Sequence, residues 1–284
     1  MTLFALGVAA MVIGQSSVIP PVMSKRAISP PAHLPGKSID LYGDGKYTLF
    51  IPDSWQPVDR PAITVHFHGA AWFAIEEHLR RGLKEPLLGI YLGEGSSVYQ
   101  KPFEDPERWP VLLSHVIAEL GGKSISRVDM TSFSAGYGAV RELLKQPGPI
   151  AIIHRLVLAD SMYASFTSDG DHTPLSAQIN PYVEFAKLAI EGKKEFVVTC
   201  SQVTTETYAN SAACAEELVK KLGGRLMLAD PTLPPTRGKD FPLLSRFDSV
   251  GFHVWAYGGT DAMAHMTHPR HIADIWRALD EKRS

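Results

Sequence analysis

Ser134 lies in the run Met130-Thr131-Ser132-Phe133-Ser134-Ala135-Gly136-Tyr137-Gly138. A serine hydroxyl is a weak nucleophile at neutral pH. It becomes a useful one when the backbone presents it and a base stands within hydrogen-bond reach. The residues around Ser134 suit the first requirement. Arg127-Val128-Asp129-Met130 reads as the end of a short buried strand, and Val140, Leu143 and Leu144 fall on one face of a following helix. Small residues, Ser132 and Gly136, stand two before and two after the serine. Bulk at either place would collide with the neighbouring strand and helix. This is the spacing of the nucleophile elbow, G-x-S-x-G, with serine in place of the first glycine. The plainer reading of the same serine is a helix cap.

The nucleophile would need three further parts. One is a base, which histidine suits because its reference pKa is about 6.5. Another is a carboxylate that fixes the histidine tautomer and stabilises the imidazolium. The last is a pair of backbone N–H donors for the oxyanion of the tetrahedral intermediate. Three histidines, His265, His268 and His271, crowd near the C-terminus. His268 precedes Pro269, a residue type suited to the first position of a helix, His271 falls inside that helix, and His265 lies in the loop before it. Candidate carboxylates are Asp160, after the apolar run Leu156-Val157-Leu158-Ala159, then Glu206 and Asp261. Each also has a structural reading, Asp160 as a turn residue and Glu206 as a residue of a first helical turn.

These residues are far apart in sequence, so the fold must gather them. Residues 38–42 and 46–51 read as strands joined at Gly43-Asp44-Gly45, an antiparallel hairpin. Strands and helices then alternate. Apolar strands are predicted at 62–67, 87–92, at the elbow, and at 156–159, 196–200 and 252–257. Helices are predicted after Trp72, through Leu113, Val116, Ile117 and Leu120, and after the elbow. A further helix starts at Asn180-Pro181 and carries Tyr182, Phe185, Ala186 and Ala189 inward. The next buries Tyr208, Ala212, Ala215, Val219 and Leu222, and the last buries Ile272, Ile275, Trp276 and Leu279. A proline-bearing loop spans 231–242. Repeated strand–helix units imply a mainly parallel sheet with helices on both faces, and ligands bind beyond the carboxyl ends of such strands. His68-Gly69-Ala70-Ala71-Trp72, Ser134, Asp160 and the run Gly258 to His265 all follow strands.

Four strand ends loaded in the order Ser, Asp, His resemble the α/β-hydrolase superfamily over roughly residues 38–280. The resemblance implies an α/β fold, the α/β-hydrolase fold, with a mainly parallel central sheet and an antiparallel start. It implies a serine hydrolase, most often of carboxylic esters, of the kind with a His-Gly oxyanion loop, and it calls for no cofactor. Carried onto this chain, it makes Ser134 the nucleophile and His265 the base, with His268 second. Asp160 is the acid, with Glu206 or Asp261 as alternatives. The N–H groups of Ala135 and Ala70 become the oxyanion donors, with Ala71 as the second choice for the loop. His68 reads as a brace of that loop. Trp72, Tyr137 and Tyr163 are candidates to line a pocket, and the loop Gly93-Glu94-Gly95-Ser96-Ser97 lies on the same edge. The short polar stretch 161–179 predicts an open site and a soluble ester.

Composition narrows the function. The chain has 284 residues, 45% hydrophobic and 20% charged, which fits one large domain, placed at 37–284. A net charge of −2 and the lack of a long basic run argue against nucleic acid as a partner; a small-molecule ester is the partner that the resemblance implies. No apolar run reaches the roughly 18 residues needed to span a bilayer. The clustered histidines lack carboxylates at metal-ligand spacing, so no metal is expected. Residues 1–17 carry an apolar run, Leu3 to Ile13, followed by small residues, the pattern of a signal peptide without its basic start. If it acts as one, the protein is exported; otherwise it is cytoplasmic. Residues 18–36 are proline-rich and read as an extended linker. Cys200 and Cys214 could pair in an exported protein or stay free and buried. Acyl transfer, amide cleavage with the same three residues, and a binding protein on the same fold are the alternative functions.

Overall fold

The computed structural model describes residues 18–168, 170–230 and 240–281. The apolar run of residues 1–17 and most of the 231–242 loop lie outside them. The chain opens with β1 (Gly36–Asp40) and β2 (Tyr47–Pro52), paired antiparallel as expected from the Gly-Asp-Gly turn. Then follow β3 (Ala62–Phe67), α1 (Ala71–Arg81), β4 (Leu87–Ile90), α2 (Ser97–Glu104), α3 (Arg108–Leu120), β5 (Arg127–Phe133), α4 (Tyr137–Leu143), α5 (Pro147–Ile152) and β6 (Ile153–Ala159). A hairpin, β7 (Phe166–Ser168) and β8 (Asp171–Pro174), precedes α6 (Ser176–Ile190), β9 (Glu195–Cys200) and α7 (Ser211–Lys221). The chain closes with β10 (Met227–Leu228), β11 (Leu243–Ser249), β12 (Phe252–Tyr257), α8 (Ala262–Thr267) and α9 (Ile272–Glu281).

Ten strands form one sheet in the order β1-β2-β4-β3-β5-β6-β9-β12-β11-β10. The six from β4 to β12 run parallel, and both flanks are antiparallel. The α/β class, the parallel centre and the antiparallel start are those expected. The second antiparallel flank was not foreseen: β11 lies between the proline-bearing loop and β12, where no strand is predicted. Its residues Ser245-Arg246-Phe247-Asp248 alternate too weakly for a strand signal. Pairing with β12 supplies the backbone bonds instead.

The central strands are buried on both faces, which is why they read as near-continuous apolar runs. Alternate residues feed different cores. Leu156 and Leu158 of β6, Val198 of β9 and Val254 of β12 join one cluster with α3, α4 and α6. Val157, Ala159, Val197, Trp255 and Tyr257 point the other way, against Ile272, Ile275 and Trp276 of α9. This two-sided cover holds the parallel strands rigid, so their carboxyl ends are fixed platforms for side chains.

Several helix boundaries differ from expectation; the last helix starts at Ile272, and Pro269 and His271 lie in the short 3-10 turn before it. The helix predicted to start at Asn180-Pro181 starts instead at Ser176, and Pro181 sits inside it. The extra turn buries Ile179 beside Tyr182 and Val183, which offsets the backbone bond that proline cannot make. The next helix begins at Ser211 and excludes Tyr208, because Asn210 caps it: Asn210 Oδ1 accepts from Ala213 N at 2.9 Å. Within the stretch 18–36, residues 18–26 pack on the domain. Val18 and Met23 are buried, Met23 bridges to Phe241, and Tyr257 Oη donates to Pro21 O at 2.8 Å. Cys200 and Cys214 are separate buried thiols. Burial pushes both thiols up, Cys214 to about 12.

Three histidines, His66, His78 and His268, are almost wholly buried, and burial pulls each down from 6.5 to about 4. An unfolded chain would take up protons near pH 6.5, whereas the folded chain resists until about pH 4. Stability is therefore full above pH 6.5 and falls as pH drops to about 4, by about 3 kcal/mol per histidine. Melting temperature followed by circular dichroism should fall steeply across that window. A flat profile from pH 7 to 4 would show that these rings are not buried neutral.

Candidate functional site

The elbow is built by strain and by close packing. β5 ends at Phe133, and Ser134 turns the chain with φ +46°. A Cβ on Gly136 would stand 2.6 Å from Phe67 O and 2.6 Å from Ser132 Oγ, so only glycine fits. Gly136→Ala should lower stability by about 1–3 kcal/mol and displace Ser134. Thermal melting checks the first effect and ester turnover the second. The serine at the first glycine position is also explained. Ser132 is fully buried, and its Oγ lies 2.8 Å from Ser161 Oγ, which in turn donates to Ser134 O at 2.9 Å. The extra hydroxyl is thus satisfied, and it ties the elbow to the loop after β6.

That loop begins at Asp160, again at positive φ, +47°. Among the described residues four non-glycines adopt such angles, and three of them, His68, Ser134 and Asp160, follow β3, β5 and β6. Such strain costs of order 1–3 kcal/mol each and persists only where surroundings enforce it. Asp160 is held by its own N–H to Thr199 O at 2.8 Å. Its Oδ1 accepts from Ser201 N at 3.1 Å, and its Oδ2 from Ser201 Oγ at 2.6 Å. Oδ2 also lies 2.7 Å from His265 Nδ1. Burial drives the Asp160 carboxyl upward, but the His265 bond, the nearby His268 and Ser201 outweigh it and hold the group below the usual carboxylate range.

His265 lies in α8 and not in a loop, as the sequence suggested. Asp261, weighed as an acid, instead caps that helix, its Oδ1 accepting from Ala264 N at 2.8 Å. Asp160 as acceptor fixes the proton of neutral His265 on Nδ1 and leaves Nε2 as the basic nitrogen. The ring packs on Phe133, centroids 4.6 Å apart, and stays partly exposed. His268 is turned elsewhere: it is buried, with Nδ1 2.8 Å from Thr199 Oγ1. His271 is engaged by Asp274 and by Ser24. Glu206 is exposed on the connection from β9 to α7. Of the carboxylates weighed, Asp160 is the one in contact with a candidate base.

Ser134, Ala135 and His265 line one cavity of about 700 Å³. Tyr137 and Tyr163 line it as expected, and Trp72 does not. Glu94, Gly95 and Ser96, from the loop expected on the same edge, also line it. Close packing of α4 beneath that loop holds it in place, since a Cβ on Gly138 would stand 2.3 Å from Ser96 O. Gln100, Arg141, Thr205 and Tyr208 are among the other lining residues and were not expected there from sequence. For Tyr208 the signal was available: Asn210 before an alanine-rich run marks a helix start, which leaves Tyr208 free. Arg141, inside a short helix, gave no signal.

The His-Gly loop is braced from below. His66 Nε2 is 2.8 Å from His68 O, and His68 Nδ1 is 2.9 Å from Tyr99 Oη. Burial holds the His68 ring below its ordinary value, consistent with a bracing part. Gly69, at φ +121°, needs the freedom only glycine has. Ala70 follows in extended conformation, exposed, at the head of α1, and it is not among the residues that line the cavity. Among the described residues no helix is long and apolar enough to cross a membrane.

No protein-family model matches the chain, and no curated protein does. Solved structures with a similar fold include an esterase from Pyrobaculum calidifontis, at 12% identity and TM-score 0.46, covering 87% of this chain and 84% of that one. Poly(aspartic acid) hydrolase-1 from Sphingomonas sp. KT-1 is 11% identical, with TM-score 0.48 over 85% of this chain and 98% of that one. A thermophilic carboxylesterase cloned from a metagenomic library is 11% identical, with TM-score 0.48 over 90% of each chain.

Proposed function

We propose that the protein is a serine hydrolase that cleaves carboxylic esters through an acyl-enzyme. The observation that carries this reading is the 2.7 Å contact of His265 Nδ1 with buried Asp160, made by a ring that lines the same cavity as the strained Ser134. Ser134 Oγ attacks the ester carbonyl carbon while His265 Nε2 takes its proton. The C–O bond to the alcohol then breaks, and the alcohol leaves with the proton from Nε2. Water attacks the acyl-enzyme by the reverse proton route, which releases the acid and restores Ser134. Asp160 stays ionised throughout, orienting the ring and stabilising its charge.

The N–H of Ala135 is one oxyanion donor in this scheme, and the His68-Gly69-Ala70 loop supplies the second, at Ala70. Support comes from the bracing of His68 and from the glycine conformation beside it, which let the backbone approach a substrate closely. Losing one such donor typically costs about 10²–10³ in rate.

Stopped-flow hydrolysis of short p-nitrophenyl esters tests the scheme. An acyl-enzyme pathway with slow deacylation gives a burst of p-nitrophenol equal to the concentration of active sites. No turnover of any ester across acetate, butyrate and octanoate would overturn the reading.

A further inference from the structure

We infer that the ester this site is built for carries a free carboxylate, held by Arg141. The inference rests on the hydrolase reading above and adds a substrate class to it. Arg141 lies on α4, seven residues beyond Ser134, and both line the same cavity. Ser134 stands in the short turn that feeds α4, seven residues before Arg141, and helical side chains lean back toward the N-terminus. The guanidinium therefore leans toward the Ser134 end of the cavity that both residues line.

The charge of Arg141 is only partly neutralised within the protein, by a long ion pair with Glu142 that Lys145 shares. Its side chain is buried at 6% exposure, which makes an uncompensated charge costly. Its Nη2 donates to Gln100 Oε1 at 3.1 Å, a neutral acceptor that itself lines the cavity. The carboxylate of Glu142 stands 3.8 Å from its Nε, beyond hydrogen-bond distance. Both Glu142 oxygens are taken by Lys145 Nζ, at 2.7 and 2.6 Å. The guanidinium also stacks over the Tyr137 ring, 5.3 Å from its centroid, and the Tyr137 hydroxyl is fixed on Ser96 Oγ at 2.9 Å. This stacking orients the planar fork, the shape that takes a carboxylate through two parallel hydrogen bonds. Glu94, the acidic residue of the lining, accepts from Tyr91 Oη at 2.8 Å, on the exposed loop after β4. A substrate anion would sit at the Arg141–Gln100 end.

The test compares kcat/KM for half-esters of dicarboxylic acids with neutral esters of equal length. One pair carries the carboxylate on the acyl part, p-nitrophenyl hydrogen glutarate against p-nitrophenyl valerate. A second carries it on the alcohol part. The wild-type protein should favour the charged member of at least one pair by about 10–100-fold, the strength of a charge-assisted bond pair in a buried site. Arg141→Met should erase that ratio, and Arg141→Lys should restore part of it. Equal turnover of charged and neutral members in both pairs by the wild-type protein overturns the inference, whether or not the variants fold. Glutaramate, which is not an ester, separates the two claims by isothermal titration. If it binds in an Arg141-dependent way while no ester is cleaved, the carboxylate site stands and the hydrolase reading falls. If esters are cleaved but glutaramate does not bind and neither pair shows a preference, the reverse holds.

Discussion

Replacing Ser134 with alanine is expected to lower kcat/KM for a short aryl ester by about 10⁴–10⁶-fold while the melting temperature stays within a few degrees of wild type. Ser134 is partly exposed at the cavity wall, and its own side chain carries none of the hydrogen bonds that hold the elbow. Those bonds belong to Ser132 and Ser161 and to the backbone oxygen of residue 134. Removing one oxygen from this position takes away the atom proposed to attack and leaves the packing of β5 and α4 intact. Positive φ at 134 is about as unfavourable for serine as for alanine, since both carry a Cβ, so backbone strain does not rise. Steady-state kinetics beside a thermal melt checks both halves of the prediction. Residual turnover near the wild-type rate would assign the chemistry to another group.

Asp160→Asn is expected to reduce kcat by about 10⁴-fold, the effect seen when the carboxylate of such a relay becomes an amide. The physical reason is tautomer control. The carboxylate accepts from His265 Nδ1 at 2.7 Å and so keeps Nε2 free to take a proton. An amide presents a donor as well as an acceptor, and its NH₂ turned toward Nδ1 would favour the tautomer with the proton on Nε2. It also removes the negative charge that stabilises imidazolium. The near-identical shape of asparagine preserves most of the contacts with Ser201, so loss of rate should greatly exceed loss of stability. Glu206→Gln is the matching control: its carboxylate is exposed on the β9–α7 connection, and turnover should be unchanged. If Glu206→Gln were the damaging change and Asp160→Asn the silent one, the relay described here would be the wrong one.

Much of this was readable from the chain. The strands 62–67 and 252–257 have the predicted bounds, because apolar runs buried on both faces leave little else they could be. The order of loaded strand ends followed from the same runs, since in a parallel sheet they all open on one edge. The positions of Ser134 and Asp160 at strand ends were legible because each directly follows such a run. What escaped was whatever depended on partners distant in sequence. β11 exists by pairing with β12, and α6 starts early because Ile179 finds a buried place. His265 was expected in a loop, yet Asp261 starts a short helix beneath it. Arg141 shows the limit most clearly: within its helix it looks like an ordinary surface arginine. Only the packing of α2 on α4 makes it buried and brings Gln100 to it. The serine in place of the first elbow glycine looked like a weakness of the motif. In three dimensions its hydroxyl is bonded to Ser161 and becomes part of the elbow's support.

The central claim, that Ser134 is a nucleophile activated by His265 and Asp160, is tested most directly by a fluorophosphonate. Intact mass spectrometry should show one adduct per chain, peptide mapping should place it on Ser134, and both Ser134→Ala and His265→Ala should stop it from forming. An unmodified chain after prolonged exposure, or an adduct mapped to any other serine, would contradict the account.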